Sequence, residues 1–372
     1  MTQRQINAIL KYIREYSVFL FGGYEMFNYT FSAVKGIQAK SEYYITMIPC
    51  KYLKKLFSVD NNDVLPEFRA QRKLNESRIP DICNYILSNR DSYVFSALAA
   101  SIDGKFNFRE INDNVGTLEV DMSAVFLIND GQHRNAAIQK ALEEDESIGE
   151  ETIPIVFFAD KGLKRSQQMF TDLNKYAVKP SKSQNTFYDH KDELAQLSRD
   201  VIENNNFLKN YTDVENDSLG KFSAKLFTLN SFYAANRTIV GNNSIDEKTY
   251  SFVKKYWDSV VDNIIEWKLL ENKELAKKSL REEYIVTQNV VLYAFGKLGN
   301  FFLGNKINDF EKYMCNLRKI NWLRSNPQWN GRTIIDGKVA VKNQNINLTY
   351  IKIKELIGIE LSESEKSMNK LR

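Results

Sequence analysis

The chain has 372 residues, of which 43% are hydrophobic and 26% charged, with a formal net charge of only +4. This composition predicts a folded globular protein with a large core, and it excludes a chain that is basic throughout, so that any nucleic-acid contact must come from a local patch. Three widely spaced cysteines and two histidines exclude a disulfide framework and a multi-histidine metal site. No apolar run is long enough for a membrane span and the N-terminus lacks a signal-peptide pattern, so we expect a cytoplasmic protein with no membrane partner.

The predicted elements begin with residues 1–42, which we expect to form an N-terminal arm without an assignable role. Residues 43–48 are rich in aromatic and β-branched side chains and predict a β-strand that Pro49 ends. Residues 69–78 then carry four cations ahead of a helix predicted over residues 82–87. Composition alone makes this basic stretch an ordinary solvated face.

Apolar runs at residues 94–102 and 117–120 predict two further strands, and a third occupies residues 125–128. The third strand turns at Asp130 and Gly131 into an amphipathic helix. A glycine at this turn permits a backbone conformation that a Cβ would obstruct, and it lets a ligand approach closely. The backbone N–H groups at the start of the helix would point outward, where the helix dipole favours an anion. The turn therefore predicts a phosphate-binding site.

The residues that would form this site are Asp130, Gly131, Gln132, His133 and Arg134. Arg134 lies one helical turn from the start and carries a forked cation that suits phosphate. The alternative is that Asp130 merely caps the helix while His133 and Arg134 lie in solvent. We expect the arginine to be exposed and to contribute about 0.5 kcal/mol or less to stability.

Beyond this helix, residues 153–158 predict a buried strand, and residues 164–173 predict a helix that ends next to Asn174. From about residue 190 onward, apolar residues recur at helical spacing in several segments. We therefore predict an α+β protein that is α/β-like in its first domain, residues 43–190, and mainly helical in its second, residues 191–372.

The one marked charge bias lies in residues 312–342, which carry seven cations and a single acid, with aromatic residues interleaved. Cations can follow a phosphate backbone and aromatic rings can stack on bases, so this region is a candidate DNA-binding segment. The alternative, equally supported by the residues, places the tryptophans in the core and the cations on a solvated rim. The candidate DNA contacts are Arg318, Lys319, Trp322, Arg324, Trp329 and Arg332.

Residues 130–134 have the sequence DGQHR, and the stretch around them resembles the phosphate-binding segment of the ParB/sulfiredoxin superfamily, in which a Gly-x-x-Arg turn holds nucleotide phosphates. The resemblance implies a mixed-sheet N-terminal domain of that type. It also implies that polar segments before the helix at residues 82–87 and after the helix at residues 164–173 complete the site. Sulfiredoxins have their catalytic cysteine at the position of Gln132, which excludes sulfiredoxin chemistry here. The residues added to the site are Gln71, Arg72, Arg78 and Asn174.

Longer strings occur in a specific order: QRKLNESRIPDICNYIL, YVFSALAASIDG, DGQHRNAAIQKAL and FTDLNKYAVKPSKS, followed near the C-terminus by NWLRSNPQWNGR. Together they resemble the DndB family of DNA sulfur-modification proteins from about residue 43 to the end. The resemblance implies a bacterial cytoplasmic protein linked to DNA phosphorothioation, in which sulfur replaces a non-bridging phosphate oxygen. Members of that family bind the promoter of their own modification gene cluster and lower its expression, so we expect a repressor whose partner is double-stranded DNA.

Two other functions stay open at this level. One is a nucleotide-binding or nucleotide-hydrolysing ParB-like switch or enzyme in DNA modification or defence, with a nucleoside triphosphate and magnesium at the DGQHR turn. The other, more weakly supported, is a nuclease, for which Asp130 and Asp172 are the only carboxylates singled out. No catalytic residue is assigned, no metal site is predicted, and the residues favour a regulator over an enzyme. Whether the chain forms a homo-oligomer also stays open.

Overall fold

The computed structural model describes residues 28–57, 74–159, 163–175 and 179–370, and the element labels below refer to these residues. The chain divides into two compact units, Met1–Val178 and Lys179–Arg372, called unit 1 and unit 2 here. Within the described residues, no helix is both long and apolar enough to cross a membrane.

Unit 1 is built on seven strands, which are β1 (Asn28–Gln38), β2 (Ser41–Pro49), β3 (Leu98–Asp103), β4 (Phe106–Asn112), β5 (Val115–Asp121), β6 (Val125–Asp130) and β7 (Thr152–Ala159). They form one mixed sheet in the order β4–β5–β1–β2–β7–β3–β6. β3 and β7 pair in parallel, whereas the other neighbours pair antiparallel. In β2, Tyr44 and Ile48 are buried while Ile45 and Met47 are exposed, which is the alternation expected of a strand with one face in the core.

One long bent hairpin supplies both edges of this sheet. Only two residues separate β3 from β4, and only three separate β5 from β6, so the four strands form a single hairpin whose halves pair with β7 and β1. At the bend, Gly104 has φ +150°, and a Cβ there would come within 2.5 Å of the Ala124 Cβ. The sheet curls as a result: the ring of Tyr29 on β1 lies 5.9 Å from that of Phe126 on β6.

Helices α1 (Leu53–Leu56), α2 (Ile79–Ser88) and α3 (Gln132–Glu144) cover one face of the sheet, and α4 (Leu163–Lys175) packs against β6. Fully burying an aliphatic or Phe side chain contributes about 1.5–3 kcal/mol, so this shared core is what holds the helices to the sheet. Its fully buried members include Leu53, Ile86, Leu98, Ala137 and Phe157.

Unit 2 is helical around a large aromatic core. Its helices α8 (Leu229–Val240) and α12 (Asn289–Gly304) approach closely because glycines lie between them. A Cβ on Gly296 would come within 2.8 Å of the Ala235 carbonyl oxygen, and one on Gly299 within 2.9 Å of Ile239. Two pairs of two-residue strands complete the unit, β8 (Thr212–Asp213) with β9 (Phe227–Thr228) and β10 (Ile334–Ile335) with β11 (Lys338–Val339). The helices are α5 (Lys182–Tyr188), α6 (Glu193–Glu203), α7 (Asn206–Tyr211), α8 (Leu229–Val240), α9 (Glu247–Asn263), α10 (Ile265–Glu271), α11 (Lys277–Glu283), α12 (Asn289–Gly304), α13 (Glu311–Met314), α14 (Asn343–Leu356) and α15 (Glu363–Lys370).

The structure confirms the α+β class and the helical C-terminal part. It corrects the N-terminal arm predicted over residues 1–42, because β1 lies inside the sheet, paired on both sides with β5 and β2. In β1, Tyr29, Phe31 and Ala33 alternate with hydroxyl-bearing residues, which is the pattern of a strand with one face in the core, so the sequence did contain a signal for this element. Residues 1–27 lie outside the described part of the chain.

The division between the units falls at Val178, ahead of the boundary predicted at residue 190. Ser181 starts α5 with a capping box, which satisfies backbone groups at the helix start. The backbone N–H groups of Lys182 and Ser183 then donate to the two carboxylate oxygens of Asp217, at 2.9 and 2.8 Å. These bonds attach the segment to unit 2, whereas the predicted boundary had placed residues 179–190 in the first domain.

Candidate functional site

The turn between β6 and α3 needs a glycine. Gly131 has φ +99°, in the left-handed region that other residues avoid, and a Cβ there would come within 2.3 Å of the Leu98 Cδ2. Gly131 also starts α3 without a side-chain cap, and its carbonyl oxygen accepts from the Asn135 N–H at 2.9 Å. The strand, turn and helix thus have the arrangement that the sequence predicted around the DGQHR motif.

Arg134 is tied to the protein instead of pointing into solvent. Its Nη2 lies 2.6 Å from Asp130 Oδ2, and its Nη1 donates to the Ser96 carbonyl at 2.6 Å, to the Ala97 carbonyl at 3.0 Å and to the Ser96 hydroxyl. Only 16% of the side chain is exposed. The expectation of an exposed arginine is therefore wrong, and these bonds lead us to expect a larger effect on stability than the sequence predicted. Arg134 fastens the β6–α3 turn to the segment that enters β3. Among the described residues, none accepts from its Nε hydrogen or from its second Nη2 hydrogen, so these two donors can serve a ligand.

His133 connects the motif to the segment before α2. The Asn75 backbone N–H donates to His133 Nε2 at 3.1 Å, so in the neutral ring the proton sits on Nδ1. The Asn75 side chain in turn accepts from the Ser77 backbone N–H at 3.2 Å and caps the short 3-10 helix Glu76–Arg78. The sequence resemblance had brought this segment to the DGQHR turn, and the described residues of both do lie together.

Helices α2 and α3 run side by side in the same direction. Asn75 and His133 meet where both helices begin, and Arg90, just after α2, reaches Asp145, just after α3, with Nε to Oδ2 at 3.0 Å. Arg90 Nη2 also donates to Ser147 Oγ at 3.2 Å. Each helix N-terminus carries about half a positive elementary charge, so two that begin together favour an anion at this end of unit 1.

Arg78 adds a side-chain cation at the same end. It is exposed immediately before α2, and no described residue forms a hydrogen bond or an ion pair with its guanidinium. Glu76 and Asp81 are exposed close to it in the chain, so the end is not uniformly positive. This mixture of charges suits a single phosphate group placed against the helix ends and Arg78. A larger acidic surface would also meet the carboxylates of Glu76 and Asp81.

The rest of the predicted phosphate site is described only in part. Gln71 and Arg72 lie outside the described residues, and Asn174 lies in the last turn of α4, where its side chain is likewise not described. Sequence reasoning missed Ser96 and Ala97, which hold Arg134 through their backbone carbonyls. Every residue carries such an acceptor, so no residue type could have pointed to these two positions.

Trp322 and Trp329 do not form a base-stacking surface. Both are fully buried, and their rings stack on each other with centroids 5.4 Å apart and planes 8° apart. Trp329 Nε1 donates to the Asn321 carbonyl at 2.9 Å. The prediction that these tryptophans contact DNA bases is wrong, because the core of unit 2 already occupies both ring faces and edges. The alternative reading of the sequence, with tryptophans in the core, is the one the structure bears out.

The family of the chain follows from comparison with known proteins. The family model for DndB, described as DNA-sulfur modification-associated, matches residues 31–360. The chain belongs to the DndB family. No curated protein and no solved structure matches it.

In unit 2 of this DndB-family chain, Arg324 holds neighbouring backbone segments together through hydrogen bonds. Its backbone N–H donates to the Glu283 carbonyl at 2.8 Å, and its Nη2 and Nε donate to the carbonyls of Arg281 at 2.9 Å and Tyr284 at 3.3 Å. The guanidinium therefore satisfies backbone carbonyls at the end of α11. These bonds use two of the five N–H donors of Arg324, so they fix the position of the side chain without using all of its donors.

The other predicted cations of this segment are held to different degrees. Arg318 Nε donates to Asn263 Oδ1 at 2.7 Å, and Arg332 Nη2 donates to Asn369 Oδ1 at 2.8 Å, which anchors both side chains. Lys319 is exposed, and no described residue forms a hydrogen bond or an ion pair with it. Of the six residues predicted to contact DNA here, Lys319 is thus the one whose charge is fully available to a phosphate.

Proposed function

We propose that this DndB-family chain is a DNA-binding regulator that represses the gene cluster for DNA phosphorothioate modification in the bacterial cytoplasm. The observation that carries the proposal is the end of unit 1 at which α2 and α3 begin side by side with Arg78 exposed. Protein–DNA affinity comes largely from phosphate contacts made by cations, backbone N–H groups and helix N-termini. This end offers all three.

The cysteines support a regulator over an enzyme that transfers sulfur. Burial raises the pKa of the Cys50 thiol to about 11, and burial likewise raises the pKa of the Cys83 thiol. Thiols that carry sulfur or attack substrates act as thiolates and have lowered pKa values. Cys315 is exposed, and its thiol donates to the Lys312 carbonyl at 3.1 Å. Two of the three thiols are thus held in the protonated form.

The test is equilibrium binding to the promoter duplex and to an unrelated duplex over a series of salt concentrations. Arg78→Ala should weaken binding to both duplexes and flatten the slope of log affinity against log salt by about one unit. The matched control is Lys54→Ala, which removes an exposed cation beside Leu142 near the other end of α3. A slope for Arg78→Ala equal to that of the wild type would remove this end from the DNA-binding surface.

A nucleotide-dependent switch is the second candidate, favoured by one observation. The left-handed Gly131 before α3 leaves that helix start without a side-chain cap, as in sites where a backbone turn holds phosphate. If this site binds a nucleoside triphosphate with magnesium, the nucleotide should change affinity for the promoter duplex. Promoter affinity that is the same with ATP, with GTP and with neither would count against the switch while leaving the regulator intact.

A further inference from the structure

Unit 1 contains a second site-like feature, formed by other residues than those of the DGQHR end. A cavity of about 500 Å³ lies between the β1–β2 hairpin, the first residues of β4, the end of β7 and helix α4. In the sheet, Asp130 lies opposite Ala99 and Phe158 lies opposite Ser101, so the ends of β6 and β7 are two residues apart along β3. The cavity is nevertheless lined by none of the residues that form the proposed phosphate contacts.

One part of the cavity wall is aromatic. Phe106, Phe108 and Phe158 line it together with Tyr44. The Tyr44 ring lies 5.2 Å from that of Phe108 and 5.8 Å from that of Phe106, which holds the two phenylalanines in place, and Lys35 Nζ lies over the Phe108 ring at 5.5 Å from its centroid. Such a wall suits a flat ligand ring, because offset and edge-to-face ring contacts add to the burial of apolar area.

The rest of the wall carries three cations, Lys35, Lys40 and Arg165, and one carboxylate, that of Glu42. Lys35 offsets Glu42, since its Nζ lies 3.8 Å from that carboxylate as well as 3.1 Å from Glu110. Lys40 and Arg165 also line the cavity and are exposed, and no described residue pairs with either of them. Two unpaired cations beside an aromatic wall call for a ligand that joins a planar ring to an anionic group.

The turn that holds Lys40 is strained. The two-residue loop between β1 and β2 consists of Ala39 and Lys40, both left-handed, with φ +48° and +63°. Loops of this kind favour Asn, Asp and Gly, and other residues cost roughly 1–2 kcal/mol each in this conformation. The β4–β5 loop adopts the same conformation with the more suitable pair Asp113 and Asn114. Lys40 therefore lies beside the cavity in a conformation that its residue type seldom adopts.

We infer that this cavity binds a single nucleotide, with its base against Phe106 and Phe108 and its phosphate between Lys40 and Arg165. The volume falls within the range of about 300–1,000 Å³ that small-ligand sites span. Two sources share this chemistry, namely a free nucleoside phosphate and one nucleotide of single-stranded DNA. The inference does not depend on the proposed regulatory function, because the residues that line the cavity are not those of the DGQHR end.

The test is calorimetric titration of the full chain with ATP, and separately with an eight-nucleotide oligothymidylate. Lys40→Ala/Arg165→Ala should lose about tenfold or more in affinity for the ligand that binds, the loss expected for charge-assisted phosphate contacts. The control Lys54→Ala/Lys248→Ala removes two exposed cations elsewhere and should bind as the wild type does. Phe108→Leu keeps the charge and much of the apolar volume, and it should weaken binding through loss of stacking.

Each result decides between outcomes. Binding of ATP alone identifies a free nucleotide as the ligand, and binding of the oligonucleotide alone identifies a DNA strand. If neither ligand binds, or if Lys40→Ala/Arg165→Ala binds as the control does, the inference is overturned. If Arg78→Ala abolishes binding while the cavity variants retain it, the nucleotide belongs to the DGQHR end, which also overturns the inference.

Discussion

The DGQHR end of unit 1 and the basic segment 312–342 of unit 2 both combine cations with polar and aromatic residues, yet the fold uses them in opposite ways. In unit 2, Trp322 and Trp329 form part of the core and Arg324 satisfies backbone carbonyls. In unit 1, Arg134 is fastened to the protein, but two helix N-termini and Arg78 remain at the surface. A dense cluster of cations in a sequence therefore overstates the charge that a folded protein offers to a ligand.

The difference has a simple physical origin. Arginine carries five N–H donors, and a backbone carbonyl passing nearby satisfies them as well as a phosphate does. Loop-rich regions such as residues 315–342 contain many carbonyls that no regular helix or strand pairs. Arginines there donate hydrogen bonds to these carbonyls and stabilise the fold. A cation placed just before a helix, such as Arg78, has few free carbonyls within reach.

The variant with the largest expected effect tests whether the tryptophans of unit 2 belong to its core. Trp329→Ala removes a fully buried ring that stacks on Trp322, and loss of a buried tryptophan costs about 3–5 kcal/mol. We expect the free energy of unfolding, measured with urea, to fall by that amount. Phe222→Ala is the control, because Phe222 is 93% exposed and its loss should change little. A Trp329 variant as stable as the Phe222 variant would contradict the core assignment.

Gly131→Ala should have the next largest effect, and it tests the turn of unit 1. Alanine would be left-handed at φ +99° and would meet the Leu98 side chain, so we expect a loss of roughly 2–4 kcal/mol from strain and overpacking together. Gly304→Ala is the matched control, since a Cβ there has no heavy atom within 4 Å. Equal stability of the two variants would show that the turn does not need glycine.

Arg134→Ala should cost less, about 1–3 kcal/mol, because it leaves the Asp130 carboxylate and two backbone carbonyls without their donor. Arg134→Lys keeps the charge but lacks the fork, so it should recover only part of the loss. Thermal unfolding of both variants measures this. If Arg134→Ala melts as the wild type does, the bonds of Arg134 do not stabilise the turn, and its fork is free for phosphate after all.

Particular residues show what could be predicted from the sequence. The strand at residues 125–128, the glycine turn and the helix after it follow from apolar periodicity and from the conformational freedom of Gly131. The mostly antiparallel pairing could not be predicted, because β3 and β4 belong to one bent hairpin whose halves sit at opposite sheet edges. Strand order depends on contacts between residues distant in the chain, and local patterns do not encode those contacts.

The candidate site likewise has features that could be predicted from the sequence and features that could not. The DGQHR turn is local, so its residues were predictable, and the resemblance to a known family brought the segment around Arg78 to it. Whether a cation is available depends on its neighbours in space: nothing near Arg324 in the sequence indicates that the carbonyls of Arg281 and Tyr284 would take up its donors. The burial of Trp322 and Trp329 was equally open, since one pattern of residues fits a core and a binding surface.

The smallest expected effect decides whether unit 2 contacts DNA at all. Lys319→Ala removes the predicted cation that no described residue pairs with, while Arg318 beside it stays anchored to Asn263. If the segment contacts a phosphate, the slope of log affinity against log salt should flatten by about one unit, equally on promoter and unrelated duplexes. Arg324→Ala is the informative contrast, because it should lower the melting temperature and leave the slope of the folded protein unchanged. A wild-type slope for Lys319→Ala, together with a flattened one for Arg78→Ala, would confine the tested phosphate contacts to the end of unit 1 where α2 and α3 begin.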